Sequence, residues 1–347
     1  MRISFVVPGD IETGSGGYLY DRMMRSHLLR SGDYVRVFTL DDFDEKIDHL
    51  ADLINEEDPD IILQDKLGFG ELTVLNGSLN AEIGSKIVSL VHNPTSILEH
   101  DLEKRKEIAR SERSYLKSVD GIIYNSATTL SDISNLTGIV KPYVVANPGK
   151  DHIKYTEKEV KGKGEGIKIL SVCNLVRNKG IMETLDALNS IGSEEWTLMI
   201  VGRNDVDREY LYEVMDRIAA FGLEDRIELL GHRDHDQLSE IYARSDIFLS
   251  TSFYEGWGMS NVEAMGFGIP LVTTSIGATR EYVDDGIEEF LVDPNNARGI
   301  SSRLKDLIRS GKLRSKMGKN GVKRFGELPT WERSMRIARN FMLDVSR

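Results

Sequence analysis

Short apolar runs rich in β-branched residues recur along the whole chain, and helix-like stretches separate them. RISFVVP, YVRVFTL, DIILQ, KIVSLVH, GIIYN and PYVVAN fall in the first half, and KILSVCN, WTLMIVG, RIELLG, DIFLST, PLVTT and EFLVD in the second. Such alternation is the pattern of parallel strands joined by crossover helices. The chain has 347 residues, more than one hydrophobic core usually serves. Two doubly wound, Rossmann-like α/β domains are therefore expected, at 1–150 and 167–329. The polar, glycine-bearing KYTEKEVKGKGEGIK marks an interdomain linker at 151–166. Residues 297–325 read as one long polar helix. In TWERSMRIARNFMLDVSR, the residues Met335, Ile337, Ala338, Phe341 and Met342 can share one helical stripe, so 330–347 is expected to pack back onto the first domain. Open α/β sheets bind ligands at the carboxyl ends of their strands, which puts the expected site in the cleft between the domains.

Composition limits the partners. The formal net charge is −12 and neither half of the chain is basic, so nucleic acid, which needs a concentrated basic surface, is not an expected partner. The segment HDLEKRKEIARSERSYLKS mixes both signs and reads as a solvated helix face, leaving membrane association at most peripheral. No run approaches the roughly 18 apolar residues of a membrane span, and MRISFVVPGD is too short an apolar tendency for a signal peptide. A cytoplasmic protein is expected. The single cysteine, Cys173, lies in the apolar run ILSVC and reads as a small buried thiol.

Residues 253–268, FYEGWGMSNVEAMGFG, follow the strand-like DIFLST, so their glycines lie at a strand-to-helix junction. The first N–H groups of a helix have no internal partner, and the helix dipole favours an anion. Gly258, Met259 and Ser260 can therefore offer main-chain donors to a phosphate, and Gly256 and Gly258 let it approach closely. A carboxylate beside a phosphate is repulsive. Glu255 and Glu263 are better matched to the paired hydroxyls of sugar rings. Phosphate flanked on both sides by polyol describes a nucleoside-diphosphate sugar. Taken alone, the two glutamates are equally compatible with a surface acid and an ordinary helix acid.

The block EGWGMSNVEAMGFGIPLVTTSIGATREYV resembles family 4 of the retaining glycosyltransferases, which have the GT-B fold. GSGGYLYDRMM, VHNP, NLVRNKG and GHRDHDQLSEIYARSDIFLSTSFYEG follow the family order, so the resemblance covers essentially the whole chain. It implies that main chain around Gly16 and Gly17 contacts a diphosphate that Lys179 neutralises. It further implies that Glu263 holds ribose hydroxyls, that Glu255 binds the donor sugar, and that backbone near His232 and Arg233 meets the base. His92 is placed beside the anomeric carbon; without the resemblance it reads as a core histidine. The family commonly has an arginine where this chain has Asn174. Arg177, two residues before Lys179, is expected to supply the missing charge.

The expected reaction is transfer of a sugar, with retention, from such a donor to a hydroxyl acceptor. A UDP-sugar is favoured as co-substrate, with no separate cofactor. Catalysis would rest on Arg177, Lys179 and helix-end amides stabilising the departing diphosphate, with His92 and Glu255 at the sugar. No DxD-like acidic pair follows a strand, and the other six histidines show no metal-ligand spacing, so no metal is expected. The acceptor is open among a small molecule, a glycan and a lipid-linked one; an acidic first domain leans toward the soluble kind. Three alternatives remain. A sugar-nucleotide epimerase or hydrolase and a non-catalytic sugar-nucleotide-binding subunit both suit the same fold. An NAD-dependent dehydrogenase is suggested loosely by GSGG with Asp41 and Asp42, but Leu19 stands where the third glycine belongs.

Overall fold

The computed structural model describes residues 1–347 except 44–45, 80–83, 100, 157–165 and 193. The chain divides into two units, Met1–Gly149 with Pro329–Arg347, and Lys150–Leu328. In the first unit the elements run β1 (Arg2–Val7), α1 (Gly16–Arg30), β2 (Tyr34–Thr39), α2 (Ile47–Glu57), β3 (Ile61–Asp65), α3 (Phe69–Ser78), β4 (Lys86–Val91), α4 (Leu102–Lys117), β5 (Gly121–Tyr124), α5 (Ala127–Thr137) and β6 (Tyr143–Val145). In the second they run β7 (Ile167–Val172), α6 (Ile181–Asn189), β8 (Trp196–Val201), α7 (Arg208–Phe221), β9 (Ile227–Gly231), α8 (His235–Ala243), β10 (Ile247–Ser250), α9 (Met259–Gly266), β11 (Leu271–Thr274), β12 (Glu289–Val292), α10 (Ala297–Arg309) and α11 (Gly311–Glu327). The last helix, α12 (Trp331–Val345), returns to the first unit.

Each unit is one parallel six-stranded sheet, in the orders β2-β1-β3-β4-β5-β6 and β12-β11-β10-β7-β8-β9. These are the two doubly wound sheets that the GT-B expectation requires. The central strands are buried on both faces, as in Ile61–Asp65 and Gly121–Tyr124, because crossover helices cover both sides of a parallel sheet. In such sheets the order reverses at one point, and there the helices after two neighbouring strands leave to opposite faces, opening a crevice at the strand ends. The reversal falls between β1 and β3 in the first unit and between β7 and β10 in the second. The register Ile247↔Ile169 and Phe248↔Leu170 aligns β10 with β7.

Two boundaries differ from the sequence reading. Residues 151–156 are not linker but part of the second unit: Ile153 is buried in its core and the Tyr155 ring packs on Phe267 and Phe325. Two spaced apolar residues among charges and glycines leave no periodicity to read. Residues 157–165 of the expected linker lie outside the described residues. The polar stretch 297–325 is two helices, broken at Ser310, whose side chain caps α11 by accepting from the Leu313 N–H. The C-terminal helix groups with the first unit. Trp331 meets Tyr20 edge-on at 5.6 Å, Phe341 lies on Gly121, and Arg339 holds Asp33 at 2.6 and 2.9 Å.

Candidate functional site

The carboxyl ends of β7 and β10 flank the switch point of the second sheet, and two segments far apart in sequence are stitched together there. The Thr251 hydroxyl donates to the Gly180 carbonyl at 2.7 Å, and the Phe253 N–H donates to the Asn178 carbonyl at 2.9 Å. This brings Lys179 Nζ to 2.8 Å from Glu255 Oε1, across 76 residues of chain. Burial alone would lower the Lys179 pKa, but Glu255 more than offsets it and holds the ammonium above its usual value. Lys179 and Cys173 line one pocket with Ser250, Thr251 and Ser252. Burial pushes the Cys173 thiol up to about 12, consistent with an inert thiol.

Beyond Glu255 the chain reaches α9 through Gly258, which sits in the left-handed region at φ 83°. A Cβ at this position would come within 2.9 Å of the Tyr282 hydroxyl and 3.0 Å of the Asn261 amide, so both conformation and space call for glycine. The helix opens with Met259 and Ser260, whose amides have no intrahelical acceptor by position. Gly256 is half-buried on the run that leads there. On the second turn Glu263 is buried, 7% exposed, and its carboxylate accepts from His152 Nε2 and from the Tyr242 hydroxyl, each at 2.7 Å. Burial would raise this carboxyl; the His152 and Tyr242 bonds instead hold it below its usual range, so it is ionised at neutral pH.

Two expected residues have other work. Arg177 is given to acids: Glu213 holds its guanidinium at 2.7 and 2.9 Å, Asp207 and Glu209 lie at 3.8 and 3.9 Å, and the Tyr210 ring lies beneath it. In the structure its charge is neutralised by those acids. Glu213 lies 36 residues beyond Arg177, so nothing near Arg177 in sequence announces it. Asn174 itself accepts the Arg203 N–H at 3.0 Å, tying the exits of β7 and β8 together. His232 and Arg233 follow β9 at the surface, where Arg233 Nη1 donates to the His232 carbonyl at 3.0 Å.

At the carboxyl end of the first sheet, Gly16 and Gly17 open α1 after Ser15, whose side chain caps it by accepting from the Tyr18 N–H. Gly17 backs onto the His92 ring. His92 Nε2 lies 3.2 Å from Asp21 Oδ1, and Asp65 closes the group: the nearest ligand-type atoms of these three residues lie within 4.8 Å of one another. Among the described residues this is the one trio of metal-ligating types drawn so close. The Asp21 carboxyl, fully buried, is pushed up to about 7 by burial and then by Asp65. Burial would lower His92, yet Asp21 and Asp65 raise it. Two buried carboxyls thus stand beside one imidazole, and Asp65 also accepts the Leu67 N–H at 2.9 Å. The loop carrying His92 is clamped by Lys66, which donates to the Asn93 carbonyl at 2.9 Å and pairs with buried Glu112.

Asp21, Asp65, Tyr242 and His152 were not among the residues singled out from sequence. Asp21 had a signal, being an acid on the apolar face of α1 beside Tyr20 and Met24. Asp65 closes an entirely buried strand. His152 had none.

Residues 154–324 match the family model described as glycosyl transferases group 1. Mannosylfructose-phosphate synthase of Agrobacterium fabrum is 24% identical over 241 residues, covering 65% of this chain and 53% of that protein. An uncharacterized glycosyltransferase of Methanocaldococcus jannaschii is 27% identical over 177 residues, 51% of this chain and 48% of that one. The chain thus spans about half the length of these curated relatives. Among solved structures, sucrose-phosphate synthase from Thermosynechococcus elongatus superposes with a TM-score of 0.85 at 17% identity over 99% of both chains. Anabaena HepE, solved with UDP-glucose, gives 0.78 at 18% identity over 98% of this chain and 99% of that one. At such identities the structures share the fold.

Proposed function

From the match of residues 154–324 to the group 1 glycosyl transferase family model, we propose that this chain moves a sugar from a nucleoside-diphosphate donor to a hydroxyl acceptor, with retention and without a metal ion. The observation that carries the reading is the meeting of Lys179 and Glu255 at 2.8 Å beside the start of α9. An ammonium with further N–H donors and a helix start suit the diphosphate. Glu255 then has acceptor sites left for the sugar hydroxyls, and ionised Glu263, further along the helix, for the ribose. HepE, solved with UDP-glucose, supports UDP as the nucleotide.

The anomeric C–O bond breaks, its electron pair leaving on the β-phosphate oxygen. The acceptor oxygen bonds the anomeric carbon, and its proton passes to the departing diphosphate. Lys179 and the α9 amides lower the barrier by stabilising that leaving group. His92, backed by Asp21, is assigned to the sugar.

The test incubates the protein with UDP-, GDP- and ADP-sugars and a panel of hydroxyl acceptors, following nucleoside diphosphate release and the anomeric configuration of the product by NMR. Acceptor-dependent release that survives EDTA, with the configuration kept, is expected. Donor consumed equally fast without acceptor indicates a hydrolase or epimerase. Binding without turnover indicates a non-catalytic subunit. Activity abolished by EDTA and restored by magnesium or manganese overturns the metal-free mechanism.

A further inference from the structure

The segment Lys150–Tyr155 lies across the second unit as a strap that is fastened on both sides of His152. Before it, Lys150 Nζ donates to the carbonyls of Phe325 and Gly326 at 2.8 and 2.6 Å. After it, Ile153 is buried in the core with Tyr242, Met265 and Phe267. The Ser239 hydroxyl donates to the Lys154 carbonyl at 2.5 Å, and the Tyr155 hydroxyl donates back to the Lys150 carbonyl at 2.8 Å. The Tyr155 ring occupies the space where a Cβ on Gly266 would stand, so α9 ends in glycine at the point where the strap crosses it. With the strap held by these groups, the His152 imidazole is not needed to dock it. Its Nε2 instead donates to Glu263 at 2.7 Å, and its side chain is 1% exposed.

An ionised carboxylate offers about four acceptor positions. Tyr242 and His152 take one on each oxygen of Glu263, which fixes the plane of the group and leaves one or more positions for hydroxyl donors. A carboxylate held from one side only would swing about its terminal torsion, where the energy wells are broad. Groups that must meet a ligand in a set geometry need such a supporting shell.

We propose that His152 is a positioning residue for the nucleotide: it orients the Glu263 carboxylate toward the two ribose hydroxyls of a nucleoside diphosphate without touching the ligand itself. This rests on the donor reading above, and it adds to the site a residue lying only just past the crossover between the two units.

The test is a cycle that changes the protein and the ligand in turn. UDP, GDP and ADP are titrated calorimetrically into the unaltered chain, and the tightest is then compared with its 2′,3′-dideoxy counterpart. The same pair is titrated into His152→Ala and into His152→Gln, which keeps an N–H donor. Melting temperatures of all three proteins show that they are folded. His152→Ala is expected to weaken the ribonucleotide by roughly tenfold to a hundredfold, the scale of hydrogen bonds to a charged group, and to leave the dideoxy ligand unchanged. His152→Gln is expected to recover part of the loss. Equal loss on both ligands makes His152 a purely structural residue and overturns the inference, as does no loss on the ribonucleotide. If His152→Ala does not fold, His152→Gln alone decides, a loss confined to the ribonucleotide supporting the inference and an equal loss on both ligands ending it. If the unaltered chain binds none of the three nucleotides, or binds the dideoxy form as tightly, the donor reading of Glu263 falls first and takes the inference with it.

Discussion

Arg177 and Lys179 stand two residues apart and face different partners. Lys179 meets Glu255, whereas Arg177 is 47% exposed at its side chain and held by Glu213 and its neighbours. Lys179→Ala is therefore expected to lower the rate of transfer by about a hundredfold to a thousandfold, as for loss of one leaving-group stabiliser. Arg177→Ala should leave the rate within a few-fold and change stability little, as exposed ion pairs do. Single-turnover kinetics on both variants checks the contrast; an equal fall in both returns Arg177 to the site. Asp21 carries a pH signature. Its carboxyl keeps a proton up to about 7 in the fold against an ordinary 3.8, so unfolding between those values releases a proton. The stability this group contributes then falls as pH rises through that window, and that contribution is gone above it. Asp21→Asn removes this titration. Its melting temperature relative to the parent is expected to climb from pH 4.5 to 7.5, and a flat difference would falsify the raised Asp21 carboxyl. Glu255 and Glu263 could be picked out from their sequence context, because a strand-to-helix junction is a local pattern, and Lys179 only through the family resemblance. The pairing of Lys179 with Glu255 and the capture of Arg177 by α7 could not, since neither partner is near in sequence.

At the level of elements, the loop after β4 shows how a buried ion pair places a functional side chain. Lys66, at the end of β3, and Glu112, on α4, are 2% and 0% exposed. Glu112 accepts from the Thr95 N–H at 2.7 Å and the Ser96 hydroxyl at 2.6 Å, so one carboxylate gathers the whole turn behind His92. Removing one partner of such a pair leaves an uncompensated buried charge. Lys66→Met is expected to cost about 3–5 kcal/mol in urea unfolding, and adding Glu112→Gln should restore part of it by removing the orphaned charge. Additive losses in the double variant would mean that the two residues act separately. The strands among the described residues were legible because those at the centre of a parallel sheet are buried on both faces and mostly apolar, as in Gly121–Tyr124. The break at Ser310 was not, since a serine and a glycine inside a polar helical run do not by themselves stop it. The strap at 150–155 escaped notice for the opposite reason: its anchors are single residues, each meaningful only once the surface it meets is known.

For the whole molecule, a bound nucleotide should act unevenly. At roughly one hundred times its dissociation constant a ligand stabilises the state that binds it by about 2.7 kcal/mol. Hydrogen exchange with and without UDP is expected to show added protection centred on 174–180 and 251–266, with little in 1–149. Protection concentrated in the first unit instead would move the donor site there. Among the described residues no helix is long and apolar enough to cross a membrane. The amino-acid sequence by itself determined the two doubly wound sheets, the docking stripe of α12 and the stretch around Gly258 where a phosphate-friendly helix begins. Each of these follows from burial periodicity or backbone geometry over a dozen neighbouring residues. The tertiary structure alone decided which charges meet: Lys179 with Glu255, Arg177 with Glu213, His152 with Glu263, and Asp21 with Asp65 and His92. Electrostatic and hydrogen-bond partners are chosen by distances of a few ångströms between segments tens of residues apart, and those distances exist only after the sheets have formed.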